Sequence, residues 1–160
     1  MKSFKIPLWG LCVFAAFLLS ACSQRARDKE IKADITIKAK EDINFAGVHF
    51  TVDNGIVSLW GNCPTEKSRD FLLQKLSTIH VIKSVEDRIM IGPVSLGSDF
   101  NTKLQVDSVL ASYPGVAAVL SGNGLRLIGK VGSAELPKML EALSKINSGK
   151  VSIAELKSEI

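Results

Sequence analysis

The sequence predicts an α+β chain of two tandem αββαβ units, each a three-stranded mixed sheet packed by two helices, behind a processed N-terminal segment. Three observations carry that expectation. Short strands of alternating polarity flank an Asp53-Asn54-Gly55 turn. Stretches of helical periodicity precede and follow that hairpin. The whole arrangement then recurs: Val48, Phe50 and Val52 match Val116, Ala118 and Leu120 at an offset of 68. The matching of strand, turn, strand and helix in one order marks a duplication rather than a coincidence of apolar residues.

The chain opens with Lys2 and Lys5, followed by an uncharged stretch of 14 residues from Ile6 to Leu19. That length is short for a bilayer span and suits the apolar region of a signal peptide. Leu19-Ser20-Ala21-Cys22 comes next and resembles the bacterial lipobox, in which small residues precede the cut and the cysteine thiol takes the lipid. Residues 1–21 then form a lipoprotein signal peptide and residues 22–28 a lipidated tether. The resemblance implies a diacylglyceryl thioether and an acylated amino group on Cys22. One acyl chain binds only marginally, whereas two or three anchor stably. Ser23 after the cysteine is similar to an outer-membrane sorting context, which places the domains in the bacterial envelope facing the periplasm. If extended, the tether allows a reach of roughly 20 Å.

The first unit, residues 29–92, begins with a helix within Lys29–Ile43, where Ile31, Ile35 and Ile43 lie near one face. Residues 48–52 alternate as a half-buried strand, and Ile56–Cys63 returns antiparallel after the turn. Thr65 is placed to cap a helix from Glu66 to Ile79, with Leu72, Leu76 and Ile79 on one face and Phe71 and Leu73 flanking it. Val85–Ile91 is the third strand, and Gly92-Pro93 ends the unit. Residues 93–98 link it to the second unit, residues 99–160. There Asp99 can cap a helix presenting Leu104, Val106, Val109 and Leu110, which stops at Tyr113-Pro114-Gly115. The second hairpin repeats the first, and Met139, Leu140, Leu143 and Ile146 match the first unit's helix at an offset of 67. Pro137 is compatible with that helix if it lies in the first turn, where backbone donors have no intrahelical partner. Gly149-Lys150-Val151 leaves the register of the last strand open. Units of this size are marginal alone, so the two are expected to pack on each other.

The hairpin carrying Gly55-Ile56-Val57-Ser58-Leu59-Trp60-Gly61 resembles the BON domain of bacterial osmotically induced and nodulation proteins, whose pattern is Gly-x-Val-x-Leu-x-Gly before a helix and a short Val-rich strand. Gly122 to Gly129 repeats it in degenerate form, with Leu125 and Leu127 in the Val and Leu places. Val81-Ile82-Lys83-Ser84-Val85 stands where the family often has Gly-Val. The resemblance implies a tandem BON-like lipoprotein that interacts with phospholipid membrane and supports envelope integrity, with no common enzymatic activity and no cofactor.

Charge narrows the partners further. The full chain has 20 Lys+Arg against 16 Asp+Glu, a net +4. Removing residues 1–21 discards Lys2 and Lys5 and leaves +2 over 139 residues. Neither unit is a polyelectrolyte, so nucleic acid is a poor partner. No His/Cys/carboxylate set has metal spacing and no glycine loop is built for phosphate. Cys63 shares parity with Val57 and Leu59 and is expected inside. His49 lies on the strand face opposite Val48, Phe50 and Val52, where a solvated residue is expected, and His80 follows a helix end. Trp60 lies on the face away from the core, as a candidate membrane or partner contact. Ile128 is its counterpart, between Arg126 and Lys130, two cations that could meet phosphate headgroups. The rival reading is a periplasmic protein-interaction or self-association module built on exposed sheet edges, without direct lipid binding.

Overall fold

The computed structural model describes residues 8–94, 99–121, 124–146 and 151–159, with side chains from Ser23 onward except at 99 and 121. The first helix, α1, runs from Leu8 to Glu41. Asp42 then caps a single 3-10 turn at Ile43–Phe45 by accepting from the Asn44 amide. The first unit continues with β1 (Val48–Asp53), β2 (Ile56–Cys63), α2 (Glu66–Ser77) and β3 (Ser84–Ile91). The second is α3 (Asp99–Leu110), β4 (Val116–Ser121), β5 (Gly124–Gly132), α4 (Leu136–Ser144) and β6 (Val151–Glu159). Each unit is therefore αββαβ. The linker at 95–98, the Asp99 cap and the stretches at 122–123 and 147–150 lie outside the described residues or side chains.

Each sheet has three strands, ordered β1-β2-β3 and β4-β5-β6, with an antiparallel hairpin and a parallel third strand. The parallel pairing follows from the helical crossover, which returns the chain to the same end of the sheet. Asn54 and Gly55 adopt φ of 55° and 79°, the left-handed pair that the two-residue hairpin turn requires. Thr65 accepts from the Ser68 amide and starts α2. Pro137 falls in the first turn of α4.

The register left open in the second unit resolves into an irregularity. Val57 pairs with Val85 and Leu125 with Val151, but after a shift between Arg126 and Ile128 the pairing advances by one residue, so that Ile128 faces Glu155 where Trp60 faces Arg88. Gly61 and Gly129 mark a second shared device. Their φ of 115° and 119° lets the next residue donate to a carbonyl, Asn62 to Gly47 and Lys130 to Gly115. A Cβ at either glycine would collide with that carbonyl oxygen. This explains why the last glycine of the motif appears in both copies.

The core of the first unit gathers Ile31, Ile35, Phe45, Val48, Phe50, Val52, Val57, Leu59, Cys63, Leu72 and Leu76. That of the second gathers Val106, Leu110, Val116, Ala118, Leu125, Leu127, Val131, Met139 and Leu143. Cys63 is fully buried, and burial pushes its thiol pKa upward. Ile43 departs from expectation. It lies outside α1 and is 57% exposed, because the helix ends at Glu41 and the 3-10 turn buries Phe45 instead.

The stretch read as the lipidated tether is helical. Residues 22–28 belong to α1, and the helix binds the body before Lys29. Asp28 is buried, its two carboxylate oxygens accepting from the Asn54 and Gly55 amides of the first hairpin turn. Arg25 and Lys29 reach Glu135 of the second unit at 2.8 and 3.3 Å. Among the described residues no helix is long and apolar enough to cross a membrane.

Candidate functional site at the seam between the units

β1 and β4 are the inner edges of their sheets, and they meet. The Val52 amide donates to the Pro114 carbonyl at 2.8 Å. Lys32 of α1 donates to the carbonyls of Phe50 and Val116. The Ala118 backbone carbonyl faces His49 as an acceptor for its ring N–H. As numbers rise along one strand they fall along the other, so the edges run antiparallel. Val52 pairs with Val57 on β2 and Phe50 with Leu59. The backbone groups of Val52 and Phe50 used at the seam are those the hairpin leaves free, because alternate residues of an edge strand turn their backbone outward.

A lysine thus occupies the place of ladder hydrogen bonds between two edge strands. α1 carries it there: Asp28, Lys32, Ile35, Thr36 and Ala39 share one stripe, and all five are buried. The ammonium lies 4.0 Å from the centre of the Phe50 ring, a favourable cation–π distance. Burial nevertheless dominates and lowers the Lys32 pKa to about 7, with Asp107 opposing and Lys103 reinforcing the shift. Lys103 and Asp107 are ion-paired one turn apart on α3, with their side chains only 10% and 14% exposed.

His49 belongs to the same cluster. The expectation of a solvated histidine is corrected: His49 is half-buried, with the Trp60 ring beside it on the face on which alternation places it. Its pKa falls to about 4, first because burial penalises the imidazolium and then because Lys103 repels it. The Asp107 carboxylate and the Ala118 backbone work in the other direction, and Lys32 adds a smaller repulsion.

The candidate contacts read from the sequence do not form one surface. Trp60 is half-buried, its ring tilted 33° to His49 with centroids 6.1 Å apart. Ile128 is half-buried on the other sheet, opposite Ala117 and Glu155. Arg126 is exposed and paired with Glu155 at 3.1 Å. Lys130 lies between Glu159 at 3.4 Å and Asp53 of the first unit at 3.9 Å. Such exposed pairs contribute little and exchange readily with solvent or a ligand. The Cys22 side chain lies outside the described ones. Lys32, Lys103 and Asp107 were missed in the sequence. The available signal was Lys32 falling on the same helical stripe as Ile31 and Ile35.

Where α1 enters the body, a cleft of about 470 Å³ opens between the units. Arg25, Asp28, Asn54, Tyr113, Lys130 and Glu135 line it, among others. Its walls also include Asp53 and Glu159, so carboxylates outnumber cations there. Among the described residues no group of three His, Cys, Asp or Glu side chains could hold a metal ion.

The chain matches no protein-family model and no curated protein. Among solved structures it is similar to CdsD, a structural protein of the type III secretion system of Chlamydia trachomatis. The TM-score is 0.34 and the identity 13%, over 78% of this chain and 88% of that one. A second structure, containing the C-terminal domain of CdsD, gives a TM-score of 0.32 at 13% identity, over 78% of this chain and 63% of that one. At these scores the likeness carries no inference about what this chain does.

Proposed function

We propose that this chain is a lipid-anchored protein of the bacterial envelope whose two BON-like units lie against a phospholipid surface and support envelope integrity. The observation that carries the reading is the course of α1. Arg25, three residues after Cys22, is already bound to Glu135. Along a helix that separation is only about 5 Å, so an acylated Cys22 would hold the folded body at the headgroup layer. At that distance weak surface contacts gain from high effective concentration. The interunit cleft would then open beside the anchor. The excess of carboxylates on its walls favours zwitterionic over strongly anionic membranes.

Flotation with vesicles of phosphatidylethanolamine and phosphatidylglycerol tests this on the chain from Ser23 onward. Co-flotation is expected. Absence of binding to either lipid, together with stable self-association, would overturn the reading. Lipidation is checked by mass: the wild type should carry acyl mass that Cys22→Ala lacks.

A second reading is favoured by the outer edges. β3 and β6 end their sheets, and Met90, Ile91 and Ile153 on them are 65%, 47% and 45% exposed. Open edges of eight and nine residues can pair with another chain. On this reading the protein is an assembly module, and self-association without lipid binding is its signature.

A further inference from the structure

We infer that β3 is a dimer edge: two copies of this chain join through antiparallel β3 strands, with Asp87 on the two-fold axis and Glu86 of each copy opposite Arg88 of the other. The partner is a second copy, so this rests on the assembly reading above. The two outer edges are not equivalent. On β6, Ile153 and Ala154 stand against Leu127 alone where the pairing with β5 shifts, and a bulge of this kind blunts an edge against strand addition. The β6 carboxylates Glu155 and Glu159 are held by Arg126 and Lys130 of β5. β3 instead keeps an unbroken register with β2 from Ser84 to Ile91, and Val85, Met90 and Ile91 on it are exposed.

The backbone groups for such a contact are in place. Val57 pairs with Val85, and in a parallel pair a residue bonds to the two neighbours of the residue opposite it. Even-numbered residues of this segment therefore turn their backbone toward β2, as Gly92 does in donating to the Cys63 carbonyl. Val85, Asp87, Ile89 and Ile91 turn theirs outward. In place of a ladder partner, the Ile89 amide takes the Asp87 carboxylate at 2.9 Å. A second β3 replaces that contact with the carbonyl of its own Val85, within a ladder that sets Val85 against Ile89 and Asp87 against Asp87.

Charge selects the register. Glu86 and Arg88 are exposed on the face opposite buried Ile89 and are ion-paired along their own strand at 3.0 Å. About an axis at Asp87, each meets its opposite charge on the other copy, at the non-hydrogen-bonded positions where side chains come closest. A shift of two residues either way sets Glu86 against Glu86 or Arg88 against Arg88. A shift of one turns the two cores to opposite faces. Asp87 meets its counterpart on the axis but brings a cation with it, since Arg69 Nε donates to its carboxylate at 2.6 Å. The contact uses the same patch on both copies and closes at two.

Energy transfer between copies of the full lipidated chain tests the dimer, with donor or acceptor at the C-terminus and detergent micelles in excess. Wild-type copies should associate. Arg88→Glu and Glu86→Arg each set like charges across the axis and should weaken association about tenfold or more. An equimolar mixture of the two variants should recover it, because Glu faces Arg at both positions again while the pair within each chain stays broken. Recovery thus separates a contact across the axis from an ion pair that only stiffens β3. Variants that associate as the wild type does, or a mixture that stays apart, would overturn the β3 dimer and leave the assembly reading standing. Wild-type copies with no transfer beyond chance sharing of a micelle would overturn both.

Discussion

Replacing Lys32 by methionine should leave stability near pH 7 almost unchanged while abolishing its rise toward alkaline pH. In the folded chain the pKa is lowered from 10.5 to about 7, with burial as the leading cause. Between those values the unfolded chain holds a proton that the folded chain has lost, so stability increases with pH across that window. One pKa unit corresponds to about 1.4 kcal/mol. On that scale the wild type gains on the order of 3 kcal/mol between pH 7 and pH 10 from this group alone. At pH 7 the same burial costs roughly 4 kcal/mol relative to a lysine free in solvent. Methionine removes that cost but strands the carbonyls of Phe50 and Val116, each worth about 1–3 kcal/mol when left unpaired. The two effects offset one another to within about 2 kcal/mol at neutral pH. Urea unfolding of both chains at pH 7 and pH 10 isolates the contribution as the change in their difference. Parallel stability profiles would refute the reasoning, because they would mean that the buried amine titrates normally.

Three further outcomes follow from other contacts. Asp28→Ala removes two hydrogen bonds to the Asn54 and Gly55 amides and unties α1 from the first hairpin, so chemical unfolding should show a loss of about 2–3 kcal/mol. Gly129→Ala forces a Cβ into the Gly115 carbonyl at a φ of 119°, and thermal unfolding should show it destabilised by at least about 2 kcal/mol; an unchanged Tm would contradict the geometry. Cys63→Ser puts a smaller hydroxyl in a buried, mainly apolar site with only the Asn44 carbonyl as a partner, and should cost about 1–3 kcal/mol in urea. In the native wild type the same thiol should resist a bulky alkylating reagent until the chain unfolds.

Most of the two αββαβ units was legible because their signals are local. Alternation along Val48–Val52 and Ile56–Cys63 was decided by which residues must face a core, and the Asn54-Gly55 turn by which residues tolerate positive φ. The Thr65 cap of α2 and the periods of α2 and α4 are equally short-range. The duplication turned weak signals in the second unit into usable ones. The shift that sets Ile128 against Glu155 was not readable, since the gain and loss of one residue between copies fixes no register until strands pair.

The candidate site was legible only in part, and His49 shows why. Alternation correctly assigned it to the face away from the first core, but it carries no information about what covers that face. Trp60 illustrates the same limit: its face was predicted, and its half-burial against His49 was not. Residues 22–28 failed differently. Arg25, Asp28 and Lys29 give no apolar stripe, so nothing in their spacing announces a helix fastened to two units. Their partners, Glu135 and the turn at Asn54-Gly55, lie about 110 and 26 positions away.

By itself, then, the sequence determined the two-unit αββαβ plan, the turns, the buried faces and the position of the lipobox-like cysteine. Tertiary structure alone decided that two inner edges meet, that a lysine fills the gap between them, and that α1 binds both units within two turns of Cys22. The physical reason is that a strand's periodicity is set by its own backbone geometry. The energy of a buried charge depends on partners brought together only when the chain has folded.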